Sequence, residues 1–311
     1  MSIDRTAAYV TLLTKASYLP GVLVLEYTLR SVRSRYPFVV MVTPALERDA
    51  RDILVRRGIQ IKEIQGLKPA ENTHKLAPHD VRFEETWTKL RAFEMTDFDR
   101  VVLLDADMIV MRNMDELFDI DLPKDYIAAA HVCACNPKKL SHYPLDWVPA
   151  NCAYTPQEHP SSLTSPTQIT ESCPRPYTQL NSGLVILNPS LELAYALYNH
   201  LYHSPLVPTW SFADQDLLAD FFKGKWKPLP WCYNALKTLM VIHKSLWRDE
   251  EIRCLHFILP DKPWHARVPK DGEGEFDRCH QWWWDRLEQL GIEMQTSSKD
   301  WELVLSKVAK E

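Results

Sequence analysis

The chain has 311 residues, of which 46% are hydrophobic and 25% are charged. This balance is typical of globular domains and excludes the disordered, collagen-like and coiled-coil classes. The 36 Lys and Arg against 41 Asp and Glu give a net charge of −5 without a long basic run, so no nucleic acid partner is expected. Eight glycines argue against a glycine-rich phosphate loop.

Residues 1–14 lack a basic segment followed by an apolar one, and no run of about 18 uncharged apolar residues occurs. We therefore expect a cytoplasmic protein with no membrane partner. The seven cysteines are odd in number and scattered, which predicts reduced thiols rather than a disulfide framework.

Strand-like and helix-like segments alternate in the first third of the chain, which predicts a parallel sheet with crossover helices. The predicted strands are Ala8–Leu13, Phe38–Val42, residues 59–64 and Arg100–Leu104, and the predicted helices are Gly21–Arg35, Glu47–Arg57 and Thr88–Phe93.

From Cys133 to Tyr177 the hydrophobic periodicity fails. A long irregular stretch inside a compact domain is usually functional, so we predict a lid or an ordered loop rather than a linker. The later predicted strands are Ser182–Leu187 and Arg253–Phe257, and the later predicted helices are Leu191–Tyr202, Asp214–Phe222, Phe276–Leu290 and Trp301–Val308.

Two carboxylates directly follow the predicted strand Arg100–Leu104. Ligands of open α/β sheets bind beyond the carboxyl ends of strands. Residues two apart in extended chain point the same way, so Asp105 and Asp107 can reach one divalent cation. An isolated Asp-x-Asp is weak evidence, because acidic pairs are common in turns. The apolar strand before this pair strengthens the metal hypothesis.

His256 ends a second apolar run, and its imidazole could complete a Mn²⁺ site with the two carboxylates. A core histidine with satisfied hydrogen bonds is the alternative. Lys262 could meet an anionic group on a metal-bound ligand, with a solvated loop lysine as the alternative. Lys89 stands at a helix start, where an exposed surface lysine is the default.

Asn181 and Ser182 lie just before the apolar run Leu184–Leu187, and Asp214 and Gln215 open a predicted helix. Amide and carboxylate groups at such edges can make directional hydrogen bonds to the hydroxyl groups of a sugar. Asp214 could equally be a helix N-cap.

In this order the motifs resemble glycosyltransferase family 8 from about Ala8 to Leu290. The segments that carry the resemblance are Tyr9–Thr14, Thr88–Leu90, Leu104–Asp107, Leu180–Gly183, Phe212–Asp216, His256–Phe257 and Lys262–Trp264. The chain is more similar to the galactinol synthase branch than to glycogenin. This similarity rests on Cys133–Cys135 with its polar loop, Pro208–Asp216, Lys227–Pro230, Tyr233–Asn234 and Trp282–Asp285. It departs from that branch at Ala106 and Asp214, where Gly and Glu are usual.

The resemblance implies a GT-A type α/β fold, with a mixed central sheet flanked by helices and a long irregular insertion. One domain would cover residues 1–311. Its nucleotide-binding half would be 8–130, its sugar and acceptor half would be 131–290 with the loop 133–177, and a C-terminal helix would follow at 291–311.

The resemblance also implies a retaining hexosyltransferase that uses a UDP-sugar and Mn²⁺. The implied metal ligands are Asp105, Asp107 and His256, with Ala106 between the carboxylates. The implied uridine pocket is Leu12, Thr14 and Tyr18. The implied contacts to the donor diphosphate and hexose are Lys89, Lys262, Asn181, Ser182, Asp214 and Gln215. Of these, Lys89, Asp214 and Gln215 would form the catalytic set.

The implied acceptor is a small polyol or a glycan, with UDP-galactose and myo-inositol as the first choice. The loop 133–177 would cover the acceptor side and become ordered when the UDP-sugar binds. A glycogenin-like enzyme, which glucosylates a tyrosine of its own chain, is the competing hypothesis. Ala235–Ser245 contains no tyrosine at the corresponding place, and no long extension follows Glu311. A non-catalytic UDP-sugar-binding protein would be expected to lack a metal ligand, and all three are present. The sequence does not exclude a homodimer.

Two further hypotheses find less support in the sequence. No Gly-x-Gly-x-x-Gly follows the first predicted strand, which disfavours a dehydrogenase. Cys133, Cys135, Cys152 and Cys173 could bind zinc, but they lack paired Cys-x-x-Cys spacing, so free thiols are favoured.

Overall fold

A computed structural model of the chain describes residues 6–71, 73–74, 85–141, 143–294 and 298–310. The strands are β1 Ala7–Leu13, β2 Phe38–Val42, β3 Gln60–Glu63, β4 Arg100–Leu104, β5 Met108–Val110, β6 Ile127–His131, β7 Leu180–Leu187, β8 Trp226–Pro228, β9 Ala235–Leu236 and β10 Cys254–His256. The α-helices are α1 Leu19–Ser31, α2 Arg48–Arg56, α3 Leu191–His203, α4 Asp214–Phe221, α5 Leu239–Ile242, α6 Asp277–Met294 and α7 Ser298–Leu305. Within these ranges, every helix is too short or too polar to cross a lipid bilayer.

The main sheet has seven strands in the order β3-β2-β1-β4-β7-β6-β8. Strands β3, β2, β1 and β4 run parallel, whereas β7 is antiparallel to both β4 and β6. The mixed central sheet is therefore confirmed, and the parallel arrangement expected for the first third of the chain is present in β3, β2, β1 and β4. A second sheet has the order β5-β10-β9.

Burial follows the sequence pattern. Strand β4 is buried along its whole length, as the continuous apolar sequence Val101–Leu104 predicts for a strand covered on both faces. Helix α3 buries Ala194, Leu197, Tyr198 and Leu201, which recur at the spacing of one helix face, and Ser190 caps its start by accepting a hydrogen bond from the Leu193 N–H.

The predicted strands at β2 and β4 coincide with the observed ones, and the predicted helix Thr88–Phe93 is a 3₁₀ segment, Thr86–Glu94. Strands β5, β6, β8 and β9 and helix α5 were not predicted. They are only two to five residues long, and β6 is rich in alanine, which has low strand propensity. Their formation depends on pairing with distant strands.

Candidate active site

The acidic pair lies where the chain passes from the main sheet to the second sheet. Strand β4 ends at Leu104, and the Asp105 N–H donates to the Gly183 carbonyl at 2.8 Å. Strand β5 begins at Met108, which pairs with His256 of the antiparallel strand β10. The Phe257 N–H then donates to the Asp107 carbonyl at 2.9 Å. This pairing brings His256 to the carboxylates across about 150 residues of sequence.

The three side chains fit one cation. The His256 Nε2 atom lies 3.7 Å from Asp105 Oδ2 and 3.4 Å from Asp107 Oδ1. Adjacent ligands of a six-coordinate ion with metal–ligand bonds of 2.0–2.6 Å are about 2.9–3.7 Å apart. One ligand atom from each side chain lies within 4.8 Å of the other two. The donor set of two carboxylates and an imidazole suits Mn²⁺.

A chain of amide groups orients the imidazole. The His256 Nδ1 atom lies 2.9 Å from the Asn234 Oδ1 acceptor, which places the ring proton on Nδ1 and directs the Nε2 lone pair to the carboxylates. Asn234 Nδ2 donates to Asn181 Oδ1 at 2.8 Å, and Asn181 Nδ2 donates to Gln215 Oε1 at 3.2 Å. The sequence indicated Asn234 only as part of the family resemblance and indicated no role for it, because it lies in a 3₁₀ turn outside every predicted strand.

Gly183 permits the close approach of His256 to β7. A Cβ atom at this position would lie 2.2 Å from His256 Cε1 and 2.5 Å from Nδ1. Real Cβ atoms essentially never come this close to another heavy atom. The glycine of the Asn-Ser-Gly segment therefore fixes where the imidazole can sit.

Lys89 is buried between two carboxylates rather than exposed as the sequence suggested. Its Nζ atom is 2.9 Å from Asp105 Oδ1 and 2.8 Å from Asp214 Oδ2, and it donates to Ser182 Oγ at 3.2 Å. Burial opposes the charge of Lys89, but Asp105 and Asp214 outweigh it and raise the pKa above its usual value.

Asp214 is the first residue of α4, and Ala213, which precedes it, makes no side-chain cap. The ion pair with Lys89 therefore gives Asp214 a role other than the N-cap that the sequence left open. Burial raises the pKa of Asp214 above its usual value, while Lys89 opposes that shift.

Lys262 is only 8% exposed, so the alternative of a solvated loop lysine is wrong. Its Nζ donates to Asp107 Oδ2 and, at 2.8 Å, to the Phe257 carbonyl. Burial disfavours the Asp107 carboxylate, but the positive charge of Lys262 outweighs it and holds the pKa of Asp107 well below its usual range.

These groups line a cavity of about 440 Å³. The cavity brings together all of the predicted site residues: Leu12, Thr14, Tyr18, Lys89, Asp105, Ala106, Asp107, Asn181, Ser182, Asp214, Gln215, His256 and Lys262. Tyr18 packs edge to face on Trp264 at 5.3 Å between ring centroids. The role of each residue stays a prediction.

The segment 133–177 forms part of the cavity wall through residues that include Asn136, Tyr143 and Trp147. The Trp147 ring stacks on Phe212 at 5.3 Å, and the buried Tyr154 donates to the His131 carbonyl at 2.8 Å. The described part of the segment thus packs on the body of the protein. Its ordering by donor stays a prediction.

The model of Glycosyl transferase family 8 matches residues 9–267. The chain belongs to glycosyltransferase family 8. This family 8 chain is 32% identical to Galactinol synthase 3 of Arabidopsis thaliana over 289 residues, which cover 91% of this chain and 81% of that protein. Family membership makes it a glycosyltransferase.

Two solved structures show the fold of this family 8 chain. The galactosyltransferase LgtC, in complex with donor and acceptor sugar analogs, superposes with a TM-score of 0.59 at 16% identity, covering 91% of this chain and 95% of LgtC. The glycosyltransferase GlyE of Streptococcus pneumoniae TIGR4 superposes with a TM-score of 0.58 at 17% identity, covering 97% of this chain. The chain spans 63% of GlyE. The GT-A type fold is thereby confirmed.

Proposed function

We propose that this protein is a retaining hexosyltransferase that moves galactose from UDP-galactose to a small polyol, with myo-inositol as the first choice. One observation carries the proposal: two carboxylates, an imidazole and two buried lysines converge on one cavity in a chain 32% identical to a galactinol synthase. This combination of metal ligands and fixed positive charge suits the diphosphate of a nucleotide-sugar.

The donor would bind across the end of β4. Asp105, Asp107 and His256 would hold Mn²⁺, which when bound supplies Lewis-acid stabilisation to the leaving diphosphate. Lys262 places a second positive charge beside Asp107, where negative charge develops as UDP departs. Leu12, Thr14 and Tyr18 line the same cavity and would form the uridine pocket.

The hexose would lie towards α4. Asn181 donates to the Gln215 Oε1 atom at 3.2 Å, which fixes the amide so that its Nε2 group can donate to a substrate hydroxyl. Lys89 bridges Asp105 at the diphosphate end and Asp214 at the sugar end. These ion pairs would fix the diphosphate end and the sugar end of the donor site relative to each other, which lowers the entropic cost of reaching the reactive geometry.

Retention follows from attack on the face that UDP leaves. The bond between the anomeric carbon and the phosphate oxygen breaks, and the acceptor hydroxyl oxygen bonds to the same carbon on the same face. The departing phosphate oxygen accepts the hydroxyl proton, so no protein base is needed. Asp214 and Gln215 would support the positive sugar from the opposite side.

The test combines a donor and an acceptor screen. Purified protein is incubated with UDP-galactose or UDP-glucose, Mn²⁺ and myo-inositol, and mass spectrometry measures soluble products and intact protein. We expect galactosyl-inositol from UDP-galactose, and loss of at least about 100-fold with chelator or in Asp107→Asn. Asp97→Ala changes an exposed carboxylate outside the cavity and is the matched control.

Two outcomes contradict the proposal. Hexose increments on the protein itself without glycosylated inositol would favour the glycogenin-like alternative. Full turnover by Asp107→Asn in excess chelator would show that the reaction does not require the metal.

A further inference from the structure

Three cysteines and one histidine meet outside the diphosphate site. Cys133 and Cys135 follow β6, Cys152 follows the 3₁₀ turn Pro149–Asn151, and His243 follows α5. Cys135, Cys152 and His243 are 5%, 0% and 8% exposed, and Cys133 is half-buried. One ligand atom from each residue lies within 4.8 Å of the other three.

All three sulfur atoms converge on one nitrogen. The His243 Nε2 atom lies 3.5 Å from Cys133 Sγ, 3.3 Å from Cys135 Sγ and 3.6 Å from Cys152 Sγ. A single ring nitrogen can make only one directed hydrogen bond, so hydrogen bonding does not account for three equivalent neighbours. A metal ion bound between the four atoms accounts for this arrangement.

The distances have the size that a tetrahedral metal centre requires. Bonds of 2.3 Å to sulfur and 2.0–2.1 Å to nitrogen at the tetrahedral angle put each sulfur about 3.5–3.6 Å from the nitrogen. The observed separations are 3.3–3.6 Å. An iron–sulfur cluster is a poor match, because it distributes its protein ligands over several iron atoms and holds them further apart.

We propose that Cys133, Cys135, Cys152 and His243 bind one structural Zn²⁺ ion. Zinc is the ion most typical of a tetrahedral Cys₃His set, and four protein ligands leave no open position for catalysis. The sequence favoured free thiols and offered Cys173 as the fourth zinc ligand. In the structure His243 takes that place, 91 residues beyond Cys152 and in no recognisable motif.

The ion would link the first residues of the segment 133–177 to the end of α5. Cys133 lines the cavity, as does Ile242, the neighbour of His243. Zinc would therefore fix the part of the wall that carries Asn136 and Trp147, through ligands separate from those of Mn²⁺. Since the site forms only in the folded chain, binding of the ion also stabilises the fold.

The first test is the zinc content of the purified full chain, measured by elemental analysis after gel filtration in reducing, metal-free buffer with EDTA. We expect about one zinc per chain, and loss of zinc in Cys152→Ala and Cys135→Ala. Three controls should retain it: Cys173→Ala in the same segment, Cys232→Ala as a buried cysteine outside the cluster, and Asp107→Asn in the diphosphate site.

X-ray absorption at the zinc edge keeps the proposal testable if the cysteine variants do not fold, because it uses the wild-type chain. Three sulfur ligands near 2.3 Å and one nitrogen near 2.0 Å are expected. Wild-type protein that stays free of zinc after expression and reconstitution in excess zinc would overturn the proposal. A zinc shell made only of oxygen and nitrogen, or zinc retained in Cys152→Ala, would overturn it too.

Discussion

Gly183→Ala tests whether the contact between β7 and His256 positions the metal ligand. The new Cβ would lie 2.2 Å from His256 Cε1, and ordinary contact begins at 3.4 Å, so the ring must retreat by about 1.2 Å. Such a shift breaks the 2.9 Å hydrogen bond to Asn234 or strains β10. We expect unfolding free energy to fall by about 1–3 kcal/mol, as for other overpacked cores. Affinity for Mn²⁺ should fall by about 10–100-fold, as when a metal ligand loses its orienting partner.

Gly66→Ala is the matched control. A Cβ at Gly66 meets nothing within 4 Å, and its backbone is not left-handed, so the substitution should be neutral or stabilise by up to about 1 kcal/mol. Urea denaturation measures the free energy of unfolding, and electron paramagnetic resonance of free Mn²⁺ measures affinity. If Gly183→Ala matches Gly66→Ala in both measurements, the reasoning about His256 is refuted.

Four other substitutions probe the same site. Asn234→Ala should weaken Mn²⁺ binding by about 10–100-fold, because His256 loses the hydrogen-bond acceptor that fixes its ring. An unchanged Mn²⁺ affinity in the electron paramagnetic resonance titration would contradict this. Lys89→Met should lower the free energy of unfolding by about 3–5 kcal/mol in urea, since Asp105 and Asp214 lose their buried cation, whereas the exposed Lys62→Met should not. Lys262→Ala should raise the KM for UDP-galactose and also destabilise the fold, and steady-state kinetics with unchanged KM would oppose its role at the diphosphate. Because the pKa of Asp107 is depressed in the folded protein, this group stabilises the fold above its unfolded pKa of about 3.9, and that stability is lost as pH falls below this value. Asp107→Asn should therefore make the melting temperature depend less on pH between about pH 5 and pH 3. Parallel curves for the variant and the wild type would argue against the depressed pKa.

The positions of the site residues could be predicted where local pattern and chain direction suffice. The apolar run Val101–Leu104 forms a buried strand, and its end places Asp105 and Asp107 at the edge of the sheet where ligands bind. The ordered motifs of family 8 then indicated His256, Lys262, Asn181 and Gln215, all of which line the cavity.

The remaining features depend on contacts between distant segments. Nothing local in the sequence distinguishes a buried Lys89 or Lys262 from a surface lysine, because their burial requires the carboxylates of other strand ends. The orientation of His256 depends on Asn234, and the cysteine cluster depends on His243. The antiparallel direction of β7 could not be read from its local sequence either, since strand direction is set by the path of the whole chain between β4 and β7.

The most direct test of the proposed chemistry is the configuration of the product formed from UDP-galactose and myo-inositol. Nuclear magnetic resonance of the purified product gives the coupling constant of the galactosyl anomeric proton, while UDP release is measured in parallel. We expect an α-linked galactoside, with the configuration of the donor retained, formed in equal amount with UDP and only in the presence of Mn²⁺. A β-linked product, or transfer that continues without a divalent ion, would contradict it.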